Sequence, residues 1–124
     1  MARWFHLNKI FAKKKVFEKI GLFDKKYFLY WEDVDLSQRA KRSGFKILYV
    51  PQGKLWHKNA GSSGSGSSFH DYYLTRNRLF FGMKFALPKT KLSLLKEGFI
   101  FLLKGRKGQK EGVRDFLLFH WGEK

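Results

Sequence analysis

Three carboxylates fall within four positions of the chain, directly after an aromatic run. Glu32, Asp33 and Asp35 follow residues 27–31, which read YFLYW. The whole chain has only 10 acidic residues against 26 lysines and arginines, so this stretch inverts the local charge. A carboxylate at the end of an aromatic wall is partly desolvated, and neighbouring carboxylates raise its proton affinity further. A group of that kind suits a general base.

The same acids also fit the start of a helix. The residue pattern predicts a helix from Asp33 to Ser43, with basic residues in its last turns and Gly44 as its stop. Acidic side chains in a first turn stabilise the positive end of the helix dipole. Both interpretations can hold at once.

The composition indicates one strongly basic domain. The chain has 124 residues, a net charge of +16 and 19% aromatic residues. A surface of that charge attracts anions such as nucleic acid, acidic lipid head groups or substrate phosphates. Cysteine is absent, which excludes a disulfide framework and a thiolate metal site. No apolar stretch has the length of a signal-peptide core or a membrane span, so we expect neither.

Residue periodicity predicts an α/β chain of the α+β-like kind, with a short strand pair between helical segments. The predicted helices are Lys13–Ile20, Asp33–Ser43, Phe69–Leu87, Lys91–Leu103 and Glu111–Trp121, and the predicted strands are Phe45–Val50 and Gly53–His57. Residues 1–11 mix aromatic and basic side chains without a clear period, so no element is predicted there.

Two segments leave alternatives open. The glycine and serine tract Asn59–Ser68 is typical of a flexible linker, but a tract of this kind can also be a mobile loop over an active site. The helix predicted at Lys91–Leu103 is apolar between cationic ends, so it either completes a core or lies in a membrane interface.

Several blocks of the sequence stand in an order that is typical of one enzyme family. They are VFEKIGLFD, FLYWEDVDLSQRAKRSGFKILYVP, a histidine followed by the glycine and serine tract, YYLTRNRLFF, and the terminal GVRDFLLFHWGEK. Together they resemble the C-terminal half of family 2 glycosyltransferases of the rhamnosyltransferase kind, which have the GT-A fold. The resemblance implies a partial GT-A domain. Residues 1–87 would form its acceptor-side part with the catalytic base, and residues 88–124 its basic amphipathic C-terminal helices.

The resemblance also implies roles for individual residues. In such inverting transferases the second acid of the Glu-Asp pair takes the proton of the acceptor hydroxyl, which makes Asp33 the base and Glu32 the residue that orients it. A Mg²⁺ or Mn²⁺ ion holds the leaving diphosphate, and His57 matches the position of a histidine that joins this metal site. The substrate-binding residues implied are Trp31, Asp35, Arg76 and Asn77. Taken alone, a single histidine is more often structural, and the Arg-Asn pair can lie on a solvated helix face.

The family's nucleotide-binding half, with its acidic Asp-x-Asp metal motif, would precede Val16. Residues 1–15 contain no acidic side chain. We therefore expect this chain to be the C-terminal portion of a glycosyltransferase that uses a nucleotide-sugar donor and a glycan or lipid-linked acceptor. We expect it to be inactive alone, and it would be either a truncated product or one piece of an enzyme that needs an N-terminal nucleotide-binding partner chain. The expected location is cytoplasmic and peripheral on the inner face of the membrane, whose anionic surface would be a further partner.

Two other classes of function compete with this interpretation. A basic nucleic-acid-binding module fits the charge and the many aromatic rings, although no recognition helix, zinc-finger spacing or aromatic strand signature is found. Its sign would be tight binding to generic DNA that weakens steeply with salt. The second alternative is a catalytically dead remnant on a membrane surface, which would bind liposomes without any response to nucleotide sugars.

Overall fold

The structure is a computed structural model that describes residues 10–53 and 66–124, together with the backbone of residues 4–7. These residues fall into two compact units. Unit 1 comprises residues 4–24 and 32–53 within the described part of the chain, and unit 2 comprises residues 25–31 and 66–124. Helices account for most of the described residues, so the chain is mostly helical. The functional division predicted at residue 87 stays a prediction.

Unit 1 begins with a hairpin that the sequence did not reveal. Strand β1, Trp4–Leu7, pairs antiparallel with β2, Ile10–Lys13, and Leu7 lies opposite Ile10. β2 leads directly into helix α1, Lys14–Ile20, which matches its prediction within one residue. A hairpin of only two strands buries little of either face. Such a hairpin needs no alternating pattern of apolar residues, and residues 1–11 show none.

The second helix of unit 1, α2, spans Glu32–Arg42 and confirms the predicted glycine stop. The N–H of Gly44 donates to the carbonyl oxygen of Lys41, and the N–H of Phe45 donates to that of Ala40, both at 3.1 Å. This pair of hydrogen bonds is a Schellman motif, which requires a left-handed residue at its corner. Gly44 supplies it with a φ of 86°.

The strand predicted at Phe45–Val50 is wrong. This segment has no regular structure, and residues 47–50 are exposed. β-branched and aromatic residues favour a strand only where a neighbouring strand and a packing face are available, and no described strand pairs with this segment. Of the second predicted strand, Gly53–His57, only Gly53 is described, and it closes a turn. The other four positions lie outside the described residues.

Unit 2 contains the three C-terminal helices that the sequence predicts. They are α3, Ser68–Phe85, α4, Pro88–Lys104, and α5, Lys107–Leu117. α3 begins at the N-cap Ser67, whose Oγ accepts a hydrogen bond from the backbone N–H of His70 at 3.1 Å. α4 begins at a proline, the residue that is favoured at a first helical position because its missing N–H leaves no donor unpaired there.

α5 begins before its predicted start at Glu111 and ends before its predicted end at Trp121, and two glycines inside it form close contacts. Gly108 and Gly112 lie inside the helix, where α5 meets α3. A Cβ on Gly112 would lie 2.7 Å from the carbonyl oxygen of Tyr72, and one on Gly108 would lie closer still to the carbonyl oxygen of Ser68. Only glycine allows two backbones to approach this closely. Here glycine is a contact residue and does not end a helix.

A small apolar core joins the three helices of unit 2. Leu79 of α3, Leu94 of α4 and Val113 of α5 are buried together, and three partly buried residues pack against them: Met83, Phe101 and Phe116. None of the helices in the described part of the chain combines the length and the apolar character needed to cross a membrane.

Candidate active site

The acidic cluster lies at the start of α2, and its three carboxylates have different surroundings. Asp35 is fully buried, and its Oδ2 accepts a hydrogen bond from Nε of Arg39 at 2.6 Å. The same guanidinium donates to the carbonyl oxygens of Ile20 at 2.5 Å and Leu22 at 2.7 Å. Asp35 therefore neutralises an arginine that ties α2 to the end of α1. Contact between Asp35 and a substrate stays a prediction.

Asp33 is the accessible acid of the cluster. Its side chain is exposed, and one carboxylate oxygen accepts a hydrogen bond from the backbone N–H of Val34 at 2.8 Å. No lysine or arginine in the described part of the chain forms an ion pair with it. A carboxylate in this position is free to approach a substrate hydroxyl, which is what a general base requires.

Glu32, the first residue of α2, is half-buried. Its Oε2 is buried and has no hydrogen-bond partner among the described residues. Burial raises the pKa of Glu32 above its ordinary value of 4.5, and the charge of Asp33 raises it further, while a backbone hydrogen bond acts in the opposite direction. This is the direction expected of a carboxylate that follows an aromatic run and precedes a second acid.

Replacement of Glu32 by glutamine should stabilise the protein near neutral pH. The folded state holds the Glu32 proton more tightly than the unfolded state, so its ionisation lowers the free energy of unfolding as the pH rises above about 4.5. Glutamine removes this cost. Thermal melts at about pH 7 should give a higher Tm for Glu32→Gln than for the wild type, and the difference should shrink below the ordinary pKa of a glutamate.

The control for this measurement is Glu18→Gln on α1. Glu18 is exposed and forms an ion pair with Lys14 at 3.1 Å, so its replacement should give no gain in Tm. A lower Tm for Glu32→Gln near neutral pH would show that the Glu32 carboxylate has a stabilising partner, contrary to the burial described above.

The aromatic run, residues 27–31, has an uncommon backbone. Phe28, Tyr30 and Trp31 have φ values of 61°, 64° and 72°, in the left-handed region that costs a residue other than glycine about 1–2 kcal/mol. Each ring of the run packs against a ring of α3 with 4.9 to 5.3 Å between centroids. The pairs are Tyr27–Phe80, Phe28–Tyr73, Tyr30–His70 and Trp31–Phe81. The run is thus held along one side of α3.

Asn77 of α3 holds the backbone of this run. Its side chain is fully buried, and its Nδ2 donates to the carbonyl oxygens of Tyr27 at 2.8 Å, Leu29 at 2.6 Å and Tyr30 at 3.1 Å. An amide group has two protons, so these three acceptors share them. The carbonyl oxygen of Tyr27 also accepts from the backbone N–H of Leu29 at 2.7 Å, so Asn77 adds a further donor there and donates to those of Leu29 and Tyr30 as well.

Arg76 extends the same arrangement. It is 1% exposed, and its Nη2 donates to the carbonyl oxygens of Lys26 at 3.2 Å and Tyr27 at 3.1 Å. Its Nη1 donates to the carbonyl oxygen of Gly122 at 2.9 Å, which brings the C-terminal segment to the run. We call Arg76 and Asn77 the clasp. Both side chains have partners within the chain, and their predicted contact with phosphate or acceptor stays a prediction.

A buried pair next to the clasp was not foreseen from the sequence. The hydroxyl of Tyr72 donates to Oδ2 of Asp115 at 2.8 Å. Burial, together with this hydrogen bond, raises the pKa of Tyr72 to about 12. Burial of Asp115 opposes its ionisation, but hydrogen bonds from Tyr72 and Arg114 outweigh that effect and lower its pKa. The available signal was a single acid next to an arginine in the terminal GVRDF block.

A cavity of about 590 Å³ opens in unit 2 beside α3, α4 and the start of α5. Trp31 forms part of its wall, together with apolar side chains of α3 and α4. Asp71 also lines it and accepts two hydrogen bonds from Arg106, at 2.6 and 2.7 Å. His70 lines it as well, with a buried Nδ1 that has no hydrogen-bond partner among the described residues. The cavity therefore combines an aromatic wall with a few polar groups, the usual character of a ligand pocket.

The described residues do not by themselves fit a metal ion. No group of three or more histidine, aspartate and glutamate side chains in this part of the chain could hold one. Asp33 and Asp35 have Asp-x-Asp spacing, but the carboxylate of Asp35 is engaged by Arg39. His57, the ligand expected from the resemblance, lies outside the described residues. Magnesium or manganese binding stays a prediction, and no chemical step is derived through it.

Comparison with known proteins supports one functional class. The chain is 34% identical over 67 residues to the N-acetylglucosaminyl-diphospho-decaprenol L-rhamnosyltransferase of Mycobacterium tuberculosis, in strains CDC 1551 and H37Rv. The match includes 54% of this chain and 22% of the relative, so the matched segment spans about a fifth of that enzyme's length. This partial similarity supports a relationship to glycosyltransferases.

Two other comparisons add nothing to this relationship. No protein-family model matches the chain. No solved structure matches it either.

Proposed function

We propose that this chain is the acceptor-side portion of an inverting glycosyltransferase with a GT-A architecture. It acts on a nucleotide-sugar donor and a glycan or lipid-linked acceptor. The observation that carries the proposal is the similarity over 67 residues to a rhamnosyltransferase whose name includes a diphospho-decaprenol saccharide. The acidic cluster adds support, since Asp35 is buried and ion-paired while Asp33 is exposed and forms no ion pair with a described lysine or arginine.

The proposed chemical step is a single displacement at the anomeric carbon of the donor sugar. The acceptor hydroxyl oxygen forms the new bond to that carbon as the bond to the nucleotide diphosphate breaks. Asp33 takes the proton that the hydroxyl loses, and the diphosphate leaves with the bonding electrons. Such a step requires the carboxylate within hydrogen-bond distance of the attacking oxygen.

Glu32 has a supporting role in this proposal. Its raised pKa allows it to hold a proton closer to neutral pH than an ordinary glutamate does. It directly precedes the proposed base in the first turn of α2, and its proposed role is to orient Asp33 toward the acceptor hydroxyl.

The cavity of unit 2 is the proposed binding place for an acceptor saccharide. Trp31 offers an aromatic surface for a sugar ring, while the paired groups of Asp71 and Arg106 can bind hydroxyl groups at its edge. In the chain, Trp31 directly precedes Glu32. The clasp contributes indirectly, because it fixes the backbone that carries Trp31.

The test is a transfer assay with two forms of the protein. The chain alone and the chain fused after the nucleotide-binding half of a family 2 enzyme are each incubated with a series of nucleotide sugars and a diphospho-polyprenol saccharide. We expect transfer by the fused protein and none by the chain alone, with the product detected by mass. A fused protein that binds nucleotide sugars but transfers none of them would contradict the proposal.

A further inference from the structure

α4 has an apolar face outside the face that packs in the core. The packed face contains Leu94, Gly98 and Phe101. At 100° per residue five further apolar residues fall within an arc of about 100°, centred about 120° around the helix from the packed face. They are Leu92, Leu95, Phe99, Leu102 and Leu103, which we call the outer stripe.

The outer stripe is open to solvent in unit 2. Phe99 is 62% exposed, Leu103 is 61% exposed and Leu92 is 56% exposed. A soluble helix normally places polar residues on the sides that do not face its core. An apolar stripe of this length therefore indicates a surface that is covered by something else.

Charge indicates what covers it. Lys89 and Lys96 border one edge of the stripe by their helical positions, Lys91 borders the other, and Lys104 ends the helix. The chain as a whole carries a net charge of +16. An apolar stripe between lysines is the pattern of a helix that lies in the interface of an anionic membrane, with its apolar side among the acyl chains and its cations at the lipid phosphates.

We propose that α4 docks this protein on an anionic lipid surface through the outer stripe, with the helix parallel to the membrane plane. The helix does not need to cross the bilayer for this. The inference stands apart from the proposed transfer activity, because it depends only on the exposure and charge of α4.

Two matched double variants test the proposal. Phe99→Gln with Leu103→Gln removes two residues of the stripe. Phe11→Gln with Leu22→Gln removes the same residue types from unit 1, where they are 61% and 67% exposed. Binding is measured by co-sedimentation with phosphatidylglycerol-containing vesicles and with phosphatidylcholine vesicles. Circular dichroism melts confirm that each variant is folded.

The expected result is wild-type binding to the anionic vesicles and weak binding to the neutral ones. The stripe variant should bind the anionic vesicles at least about tenfold more weakly, as the loss of apolar side chains from the interface requires. The unit 1 variant should bind like the wild type. Lys89→Gln with Lys96→Gln should weaken anionic binding by roughly 25-fold, about fivefold per charge.

Three outcomes would overturn the proposal. One is absence of the wild type from both vesicle pellets. The second is anionic binding that the stripe variant retains in full, which would make the attraction a general effect of net charge. The third is a wild-type dimer in sedimentation velocity that the stripe variant converts to a monomer without vesicle binding, which would assign the stripe to a second copy of this chain.

Discussion

Asp33→Asn should lower the turnover number of the fused transferase by roughly 10²- to 10⁴-fold, the contribution of a general base. Asparagine has nearly the shape of aspartate but cannot take up the proton of the attacking hydroxyl. The affinity for the nucleotide sugar should change little, because the substitution alters only the group that meets the attacking hydroxyl. The measurement is a steady-state assay that separates kcat from the donor KM.

Asp35→Asn provides the matched control for this effect. Asp35 is buried and paired with Arg39, so its replacement should lower stability, and its kcat in the folded fraction should fall far less than that of Asp33→Asn because Asp35 is not the proposed base. Turnover by Asp33→Asn that equals the wild type would remove Asp33 from the mechanism. If Asp35→Asn loses as much turnover as Asp33→Asn, the loss at Asp33 is not specific to a general base, and this would contradict the role assigned to Asp33.

Asn77→Leu should destabilise unit 2 by about 2–5 kcal/mol. Leucine has a similar size but no donor, so the carbonyl oxygens of Leu29 and Tyr30 lose this donor, while that of Tyr27 keeps its hydrogen bond from Arg76. Each buried group left unpaired costs about 1–3 kcal/mol. A domain is stable by only about 5–15 kcal/mol in total, so this change should be visible as a large drop in the midpoint of urea unfolding.

Asn77→Asp and Arg78→Ala complete this test. Aspartate keeps the shape of asparagine but brings a charged acceptor to three carbonyl oxygens, so it should be at least as harmful as leucine. Arg78 forms an exposed ion pair with Glu97 at 2.6 Å, and its loss should cost at most about 1 kcal/mol. If Asn77→Asp and Asn77→Leu unfold at the same urea concentration as the wild type, the clasp does not hold the aromatic run.

The helices could be predicted because their signals are local. The glycine after α2 and the acids of its first turn act on neighbouring backbone groups, and both lie at or next to the observed ends. The proline at residue 88, expected to end α3, instead begins α4. Phe45–Val50 failed for the opposite reason. Its residues have a strand composition, but a strand is stabilised by a partner that lies elsewhere in the chain, and the described residues provide none.

The candidate site was only partly accessible to sequence reasoning. The carboxylates can be found in the sequence by their charge. That Asp35 is ion-paired and Asp33 is exposed cannot be found there, because both follow from packing. The roles of Arg76 and Asn77 were likewise hidden. Their hydrogen-bond partners are mainly backbone carbonyl oxygens. Every residue has such a group, so the sequence does not show which ones are bound. The pairing of Tyr72 with Asp115 spans 43 residues and has no local pattern.

The separation between the clasp and the carbonyl oxygens it holds sets an order of events during folding. These hydrogen bonds join groups 47 to 50 residues apart, so the loop between them must close before any bond forms. During synthesis α2 can form as soon as it leaves the ribosome, whereas the left-handed run must wait until α3 has been made. The backbone of residues 27–31, just before the acids, therefore acquires its hydrogen bonds from Arg76 and Asn77 only late in folding.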